Sequence, residues 1–438
     1  MRSRLFDVIQ RPMDPKTILF GVVGWNIAET TRMIEIAKAL PQGFRGEFLS
    51  YGGQFEHLVT EAGLPLHRME PQEGPEKIDL LWRIDRGETY AQPFTLEELR
   101  ERIRGEEELL STLRPRAVVM CSVLTFPLSV RLAGLPLINV IPFALSREYF
   151  ANGLPAAPGK PRWINALFRW FAQKVPILTK NFNAAARELG LPKFDSLLSL
   201  WEGDINLLTE LPQTFPQVQL PPNWQFVGPI FAHLESPIPQ EVEDLLQSPG
   251  DPIIYFAMGS SANLKVLQSI LPLFQGLPVR VIAPVKDHLK VYSGTLPGNV
   301  LVTSWLPAHL INPRCAAAVI HGGQGTVQTA CAAGIPFLGI GMQPEQSINI
   351  QSVVDFGAAQ RMRRGKIKKK VFQKMVMELL ESPRYRAKAQ ELAELTRSYD
   401  GAQRAADFLQ EYLAVDRPLI PKTPYTQRID PQMLKTTR

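Results

Sequence analysis

A single stretch, Ala318 to Asn349 (AVIHGGQGTVQTACAAGIPFLGIGMQPEQSIN), constrains this chain more than any other. Its pattern predicts a strand, a glycine-rich loop, a helix, a second strand and a polar loop. Ala318-Val319-Ile320 is a short apolar run of the kind buried on both faces of a parallel sheet. His321-Gly322-Gly323-Gln324-Gly325-Thr326 follows at once, and the helical run beyond it stops at Gly334 with Pro336 behind it. Glycines let a backbone approach a ligand closely, and a helix start aims unpaired N–H groups at it. Such a loop suits a phosphate or pyrophosphate, and a tight strand-to-helix turn without a ligand is the alternative.

The surrounding sequence extends this reading. Thr303-Ser304-Trp305-Leu306-Pro307 lies one element earlier, and Pro344-Glu345-Gln346 lies just past the next strand. Three successive loops at the C-terminal edge of one parallel sheet would then present an aromatic face for a base, N–H groups for phosphates and an acid–amide pair for hydroxyls. With 438 residues the chain has room for two domains. It is 45% hydrophobic and 21% charged, which places it among globular proteins. A net charge of +6 is modest at this size and gives no reason to expect nucleic-acid binding. Cys121, Cys315 and Cys331 lie far apart in apolar contexts without metal-ligand spacing, and read as reduced core residues of a cytoplasmic protein. No apolar run is long enough to span a bilayer.

Strand–helix alternation runs through both halves. Strands are expected at 16–23, near 46–51 and 66, and at 116–120, 137–141, 205–208 and 225–227, then at 252–258, 279–284 and 300–302. This predicts two helix-covered parallel sheets. Residues 162–175 repeat Trp163, Ile164, Leu167, Phe168, Trp170 and Phe171 at helical spacing, with Arg162, Arg169 and Lys174 interleaved. That face fits either a membrane surface or packing on the sheet or beside a cleft. Amphipathic helices in globular chains usually face a core, and packing is the expectation taken here. The basic run Arg361 to Lys370 reads as a solvated surface.

Together, Trp305-Leu306-Pro307, HGGQGT and Glu345-Gln346 resemble the C-terminal signature of nucleotide-sugar-dependent glycosyltransferases. The family in question contains the UDP-glycosyltransferases and macrolide glycosyltransferases. Gly228-Pro229, the Pro252–Ser261 strand and loop, and Asp400-Gly401 are similar to the family too. The resemblance implies the α/β GT-B fold: two Rossmann-like domains facing across a cleft, with the terminal helix crossing back to the first. The implied division is an acceptor domain 1–230, a linker 231–250, a donor domain 251–401, a returning helix 402–415 and a tail 416–438.

The resemblance also implies roles for particular residues. Trp305 stacks on the base, with Leu306 beside it. His321, Gly323, Gln324, Gly325 and Thr326 hold the diphosphate, with Ser260 and Ser261 adding hydroxyls from the facing loop. Glu345 and Gln346 bind donor-sugar hydroxyls. Thr329 stands where many UDP-sugar enzymes carry a ribose-binding Glu, so a UDP-sugar is favoured and a dTDP-sugar remains open. The family's catalytic His position falls on Glu29, and the Asp that orients that His aligns with Cys121. Glu29 is then either a carboxylate general base or a residue that satisfies the helix start after Asn26. Trp25, Asn26, Cys121 and Phe143 are expected on the acceptor side. The expected activity is inverting, metal-independent transfer to a small or lipophilic acceptor, with no bound cofactor and with peripheral membrane contact left open. An epimerase or hydrolase of the same fold, or an inactive nucleotide-sugar-binding protein, is the alternative. The oligomeric state is not legible.

Overall fold

The computed structural model describes residues 16–234, 236–259, 264–289 and 294–414. Two parallel sheets carry the chain. The first is built from β1 (Lys16–Val22), β2 (Phe44–Ser50), β3 (Leu66–Arg68), β4 (Ala117–Met120), β5 (Leu137–Ile141), β6 (Ile205–Leu208) and β7 (Trp224–Phe226). Its spatial order is β3-β2-β1-β4-β5-β6-β7. The second contains β8 (Ile253–Ala257), β9 (Arg280–Ala283), β10 (Val300–Val302), β11 (Ala317–Ile320), β12 (Phe337–Gly339) and β13 (Ala359–Arg361). Its order is β10-β9-β8-β11-β12-β13. The expected α/β GT-B arrangement is therefore present. β13 is an addition, because the sequence reading placed Arg361 in a basic surface run rather than at the end of a strand.

These strands form where they do because both of their faces are covered. In β1, Ile18, Phe20 and Val22 join one core with Met33 and Ile36, while Leu19 faces the opposite core with Leu110 and Phe126. In β11, Ala318 and Ile320 face one layer and Ala317 and Val319 the other. A two-sided interior turns each strand into a continuous apolar run, which is why the runs were readable. Each fully buried Phe or Ile contributes about 1.5–3 kcal/mol.

The last helix, Gly401–Ala414, returns to the first domain. Ala405, Leu409, Tyr412 and Leu413 bury themselves in the core under β1, and the Leu413 carbonyl accepts a hydrogen bond from Lys16 Nζ at 3.4 Å. A helical stretch was expected from Lys388, with a further helix start at Asp400-Gly401. The structure has two helices there, Pro383–Ser398 and Gly401–Ala414, and the second changes domain. The crossing is tight. A Cβ at Gly401 would sit 2.6 Å from the Gly228 carbonyl oxygen, and the Pro229 carbonyl is closer still. Gly401→Ala should therefore destabilise the protein by about 1–3 kcal/mol. Thermal melting checks this, with Gly365→Ala, where a Cβ meets nothing within 4 Å, expected to leave Tm unchanged.

Candidate functional site

Open parallel sheets bind ligands at the point where strand order reverses, beyond the C-terminal strand ends. In the first sheet that point lies between β1 and β4, where Gly24–Glu29 and Cys121–Ser122 emerge. In the second it lies between β8 and β11, where Gly259 and His321–Gly323 emerge. The two points face each other and are joined by side chains. Arg32, 2% exposed on the helix Ile27–Lys38, donates from Nη1 to Cys121 Sγ at 3.3 Å. Its Nη2 donates to Gln324 Oε1 in the opposite domain. The Gln324 amide in turn donates to Thr209 Oγ1 at 2.7 Å and to Glu210 Oε1. Glu210 Oε2 accepts from the Phe143 N–H at 2.9 Å.

On the donor side, the helix Gln324–Ala332 begins inside the HGGQGT motif, with Gly323 as its N-cap. Val327 makes the first helical bond, to the Gly323 carbonyl at 3.0 Å. The N–H groups of Gln324, Gly325 and Thr326 therefore have no acceptor within the helix, the condition for anion binding. The glycines are fixed for different reasons. Gly322 has φ +91°, and a Cβ there would meet Ile350 Cδ1 at 2.5 Å. Gly323 and Gly259 leave room for the His321 ring, and Gly325 faces open space where a ligand can approach. His321 Nδ1 lies 3.4 Å from the Ala257 carbonyl, which can only accept, so Nδ1 carries the proton. Burial pulls His321 down to about 4, so the empty site holds a neutral ring.

Trp305 is 49% exposed, which rules out a core role and leaves its face open for stacking; Leu306 is 2% exposed. The Leu306 side chain packs in the core with Ile320 and Val327, so only its backbone is available to a ligand. Trp305 follows β10, three strand positions from β11, or roughly 14 Å along the sheet edge. Trp305 and the glycine-rich loop thus sit at strand ends that are not neighbours in the sheet. Glu345 and Gln346 lie in the first turn of the helix Pro344–Phe356, where a polar loop was expected. Gln346 is buried, and its Oε1 accepts from the Met342 and Gln343 N–H groups at 2.9 and 3.3 Å. Glu345 accepts from Asn349, which also donates to the Gly322 carbonyl at 3.1 Å and so ties the acid to the glycine loop. Thr329 turns back onto the Thr326 carbonyl at 3.1 Å. Ser260 and Ser261 lie outside the described residues.

On the acceptor side, Asn26 is the cap of its helix, accepting from the Ala28 and Glu29 N–H groups at 3.1 and 3.4 Å. The Glu29 carboxylate is not used for capping. Its Oε1 accepts from Ser122 at 3.1 Å and from the Asn26 amide at 3.2 Å. Its Oε2 is buried with no hydrogen-bond partner among the described residues. Burial raises the Glu29 pKa, with Arg32 opposing the shift. Phe143 is removed from the acceptor wall: it is fully buried against Tyr149, Phe215 and Phe226. Cys121 is also buried and faces Arg32. Trp25 remains half-exposed, donating to Glu73 at 2.7 Å and edge-packed on Trp82.

The sequence reading missed Arg32, Asp85, Glu210 and Asn349. Asp85 ends the helix Pro75–Asp85 and accepts from Gln343 of the second domain at 2.9 Å. Burial pushes Glu345 up to about 8 and Glu210 up to about 7, and Asp85 adds repulsion to Glu345. A carboxyl raised in the folded state contributes stability that is complete below its unfolded value and is lost as pH rises through its folded value. Glu345→Gln should therefore flatten the fall of Tm between about pH 5 and pH 8. Parallel Tm–pH curves for the two proteins would count against this electrostatic picture.

Comparison with known proteins agrees with this geometry. The family described as Erythromycin biosynthesis protein CIII-like, C-terminal domain, matches residues 273–409. A PGL/p-HBAD biosynthesis glycosyltransferase of Mycobacterium tuberculosis (strain ATCC 25177 / H37Ra) is 27% identical over 393 residues, covering 86% of this chain and 88% of the relative. The spinosyn forosaminyltransferase SpnP shares the fold with a TM-score of 0.68 at 16% identity, over 92% of this chain and 100% of that one. The glycosyltransferase VinC, solved with dTDP, does so with a TM-score of 0.63 at 16% identity, over 90% of this chain and 100% of that one. With a match to that family over 273–409 and two parallel sheets whose switch points are joined by side chains, the chain is a glycosyltransferase of the GT-B fold.

Proposed function

We propose that the protein moves a sugar from a nucleoside diphosphate, UDP-linked in our reading with a dTDP-linked donor as the alternative, to a hydroxyl of a small lipophilic acceptor. The transfer proceeds with inversion and without a metal ion. One observation carries this reading. Glu29 offers a buried, unpartnered carboxylate oxygen at the first switch point, one bridging arginine away from the phosphate loop at the second.

In this mechanism Glu29 Oε2 takes the proton of the acceptor hydroxyl. The acceptor oxygen bonds to the anomeric carbon as the bond from that carbon to the diphosphate oxygen breaks. The charge left on the diphosphate is met by the first-turn N–H groups of Gln324, Gly325 and Thr326. His321, neutral when the site is empty, gains a proton more readily beside that charge. Trp305 stacks on the base, and the Glu345 carboxyl group hydrogen-bonds sugar hydroxyls. Gln346 acts here by fixing the Glu345 turn, since its amide oxygen is already engaged. The burial that raises Glu29 makes its carboxylate a stronger base toward the acceptor proton, and Arg32 opposes the shift.

The test is nucleoside-diphosphate release from UDP-glucose and dTDP-glucose across a panel of hydroxyl acceptors. Release should require an acceptor. Glu29→Gln should lower kcat by about 10²–10⁴-fold, with donor binding retained. The acid limb of the native kcat/KM profile should lie above the ordinary carboxylate value near 4.5. Equal transfer by both proteins would remove Glu29 from the mechanism, and release without any acceptor would favour a hydrolase or epimerase. Donor binding without release in either protein would favour a non-catalytic role.

A further inference from the structure

The helix Arg162–Lys174 is mounted the wrong way round for a core helix. Trp163 is 69% exposed, Leu167 56%, Phe168 49%, Trp170 59% and Phe171 39%. These are five of the nine large hydrophobic side chains exposed among the described residues. They form a patch rather than the single scattered exposures normal on a surface. Trp163, Leu167, Trp170 and Phe171 recur at helical spacing and share one face, with Lys174 at its end. The inward side is the polar one. Asn165 is buried, accepting from the Ala157 N–H at 2.7 Å and donating to the Lys160 carbonyl at 2.9 Å. These bonds set the rotation of the helix, and they hold the aromatic face outward. The expectation that this face packs on the sheet is thereby overturned.

A second observation bears on what covers that face. The basic run after β13, which the donor site does not use, folds against the loop leading into this helix. Arg363 donates to the Gly159 carbonyl, and the Arg361 guanidinium lies against the same glycine. Arg364, Lys366, Lys368 and Lys369 continue along the exposed surface. No Asp or Glu occurs between Glu148 and Glu188, or between Asp355 and Glu378. The loop entering the aromatic helix thus meets cations of the second domain, with no acid in either segment.

We propose that this face docks the protein on an anionic lipid bilayer. Trp and Phe enter the region between headgroups and acyl chains, while Arg and Lys meet the lipid charge. No helix of the described residues is long and apolar enough to cross a membrane, so the contact is peripheral. A second copy fits less well, because a two-fold contact would set the same basic segments against each other. The docked helix packs on Arg147–Ala151, which packs on the Phe143–Leu145 turn facing the helix Pro344–Phe356. Docking therefore brings the cleft to the bilayer, where a lipophilic acceptor would be concentrated.

The test is co-sedimentation of the full chain with vesicles of phosphatidylcholine alone and of phosphatidylcholine with phosphatidylglycerol. The native protein should bind the anionic vesicles, bind neutral ones poorly, and release as salt is raised. Trp163→Ser/Leu167→Ser/Trp170→Ser should lose about tenfold or more in affinity. So should Arg364→Glu/Lys366→Glu/Lys369→Glu, a second route that leaves the helix intact. Both variants should keep native nucleoside-diphosphate release with a water-soluble acceptor. No binding of the native protein to anionic vesicles, or equal binding by the variants, would overturn the proposal. So would a native dimer that the Trp163/Leu167/Trp170 variant converts to a monomer without any change in vesicle binding.

Discussion

The cleft depends on one buried cation. Arg32, on the same helix as Glu29, spans from the loop after β4 to the glycine-rich loop of the second domain, bonded to Cys121 on one side and Gln324 on the other. It lowers the pKa of Glu29, Glu210 and Glu345, each of which burial raises. One guanidinium thus balances carboxyls from both domains in a region that excludes water. Breaking such a buried arrangement by removing one partner typically costs about 3–5 kcal/mol, because the remaining charges lose their counterpart. The same cation opposes the rise of the Glu29 pKa, so interdomain geometry and the acidity of Glu29 rest on one side chain.

Under the proposed mechanism, Glu29 and Cys121 make sense as a set. A histidine base needs a partner to fix its tautomer, whereas a carboxylate does not. With a thiol at 121, Arg32 Nη1 has a neutral acceptor at 3.3 Å in place of an acid. An Asp there would compete for the charge of Arg32 and add repulsion beside Glu29. The Asn26 cap completes the arrangement by taking over the helix start, which leaves the Glu29 carboxylate for chemistry.

Much of this was legible in the sequence because parallel strands buried on both faces are apolar runs. Leu137–Ile141, Ile205–Leu208 and Val300–Val302 match expectation to the residue. β13 was missed because it is three residues long and ends in charge. The HGGQGT motif located a strand-to-helix loop with its helix starting at Gln324, but nothing local showed that the Gln324 side chain is spent on the other domain. Arg32 and Gln324 are 292 residues apart, and a bond of that span leaves no periodic trace. The helix Arg162–Lys174 shows a subtler limit. Spacing defined an apolar face, but only the bonds of Asn165 show which way it points.

The most direct test of the account is a double-mutant cycle on Arg32→Ala and Gln324→Ala, read in kcat/KM for acceptor-dependent nucleoside-diphosphate release. If one bridge assembles both halves of the site, the second substitution should add little to the first, giving a coupling of about 0.5–3 kcal/mol. Additive losses would contradict the account, showing that each side chain serves its own domain and that the two loops are brought together by other means.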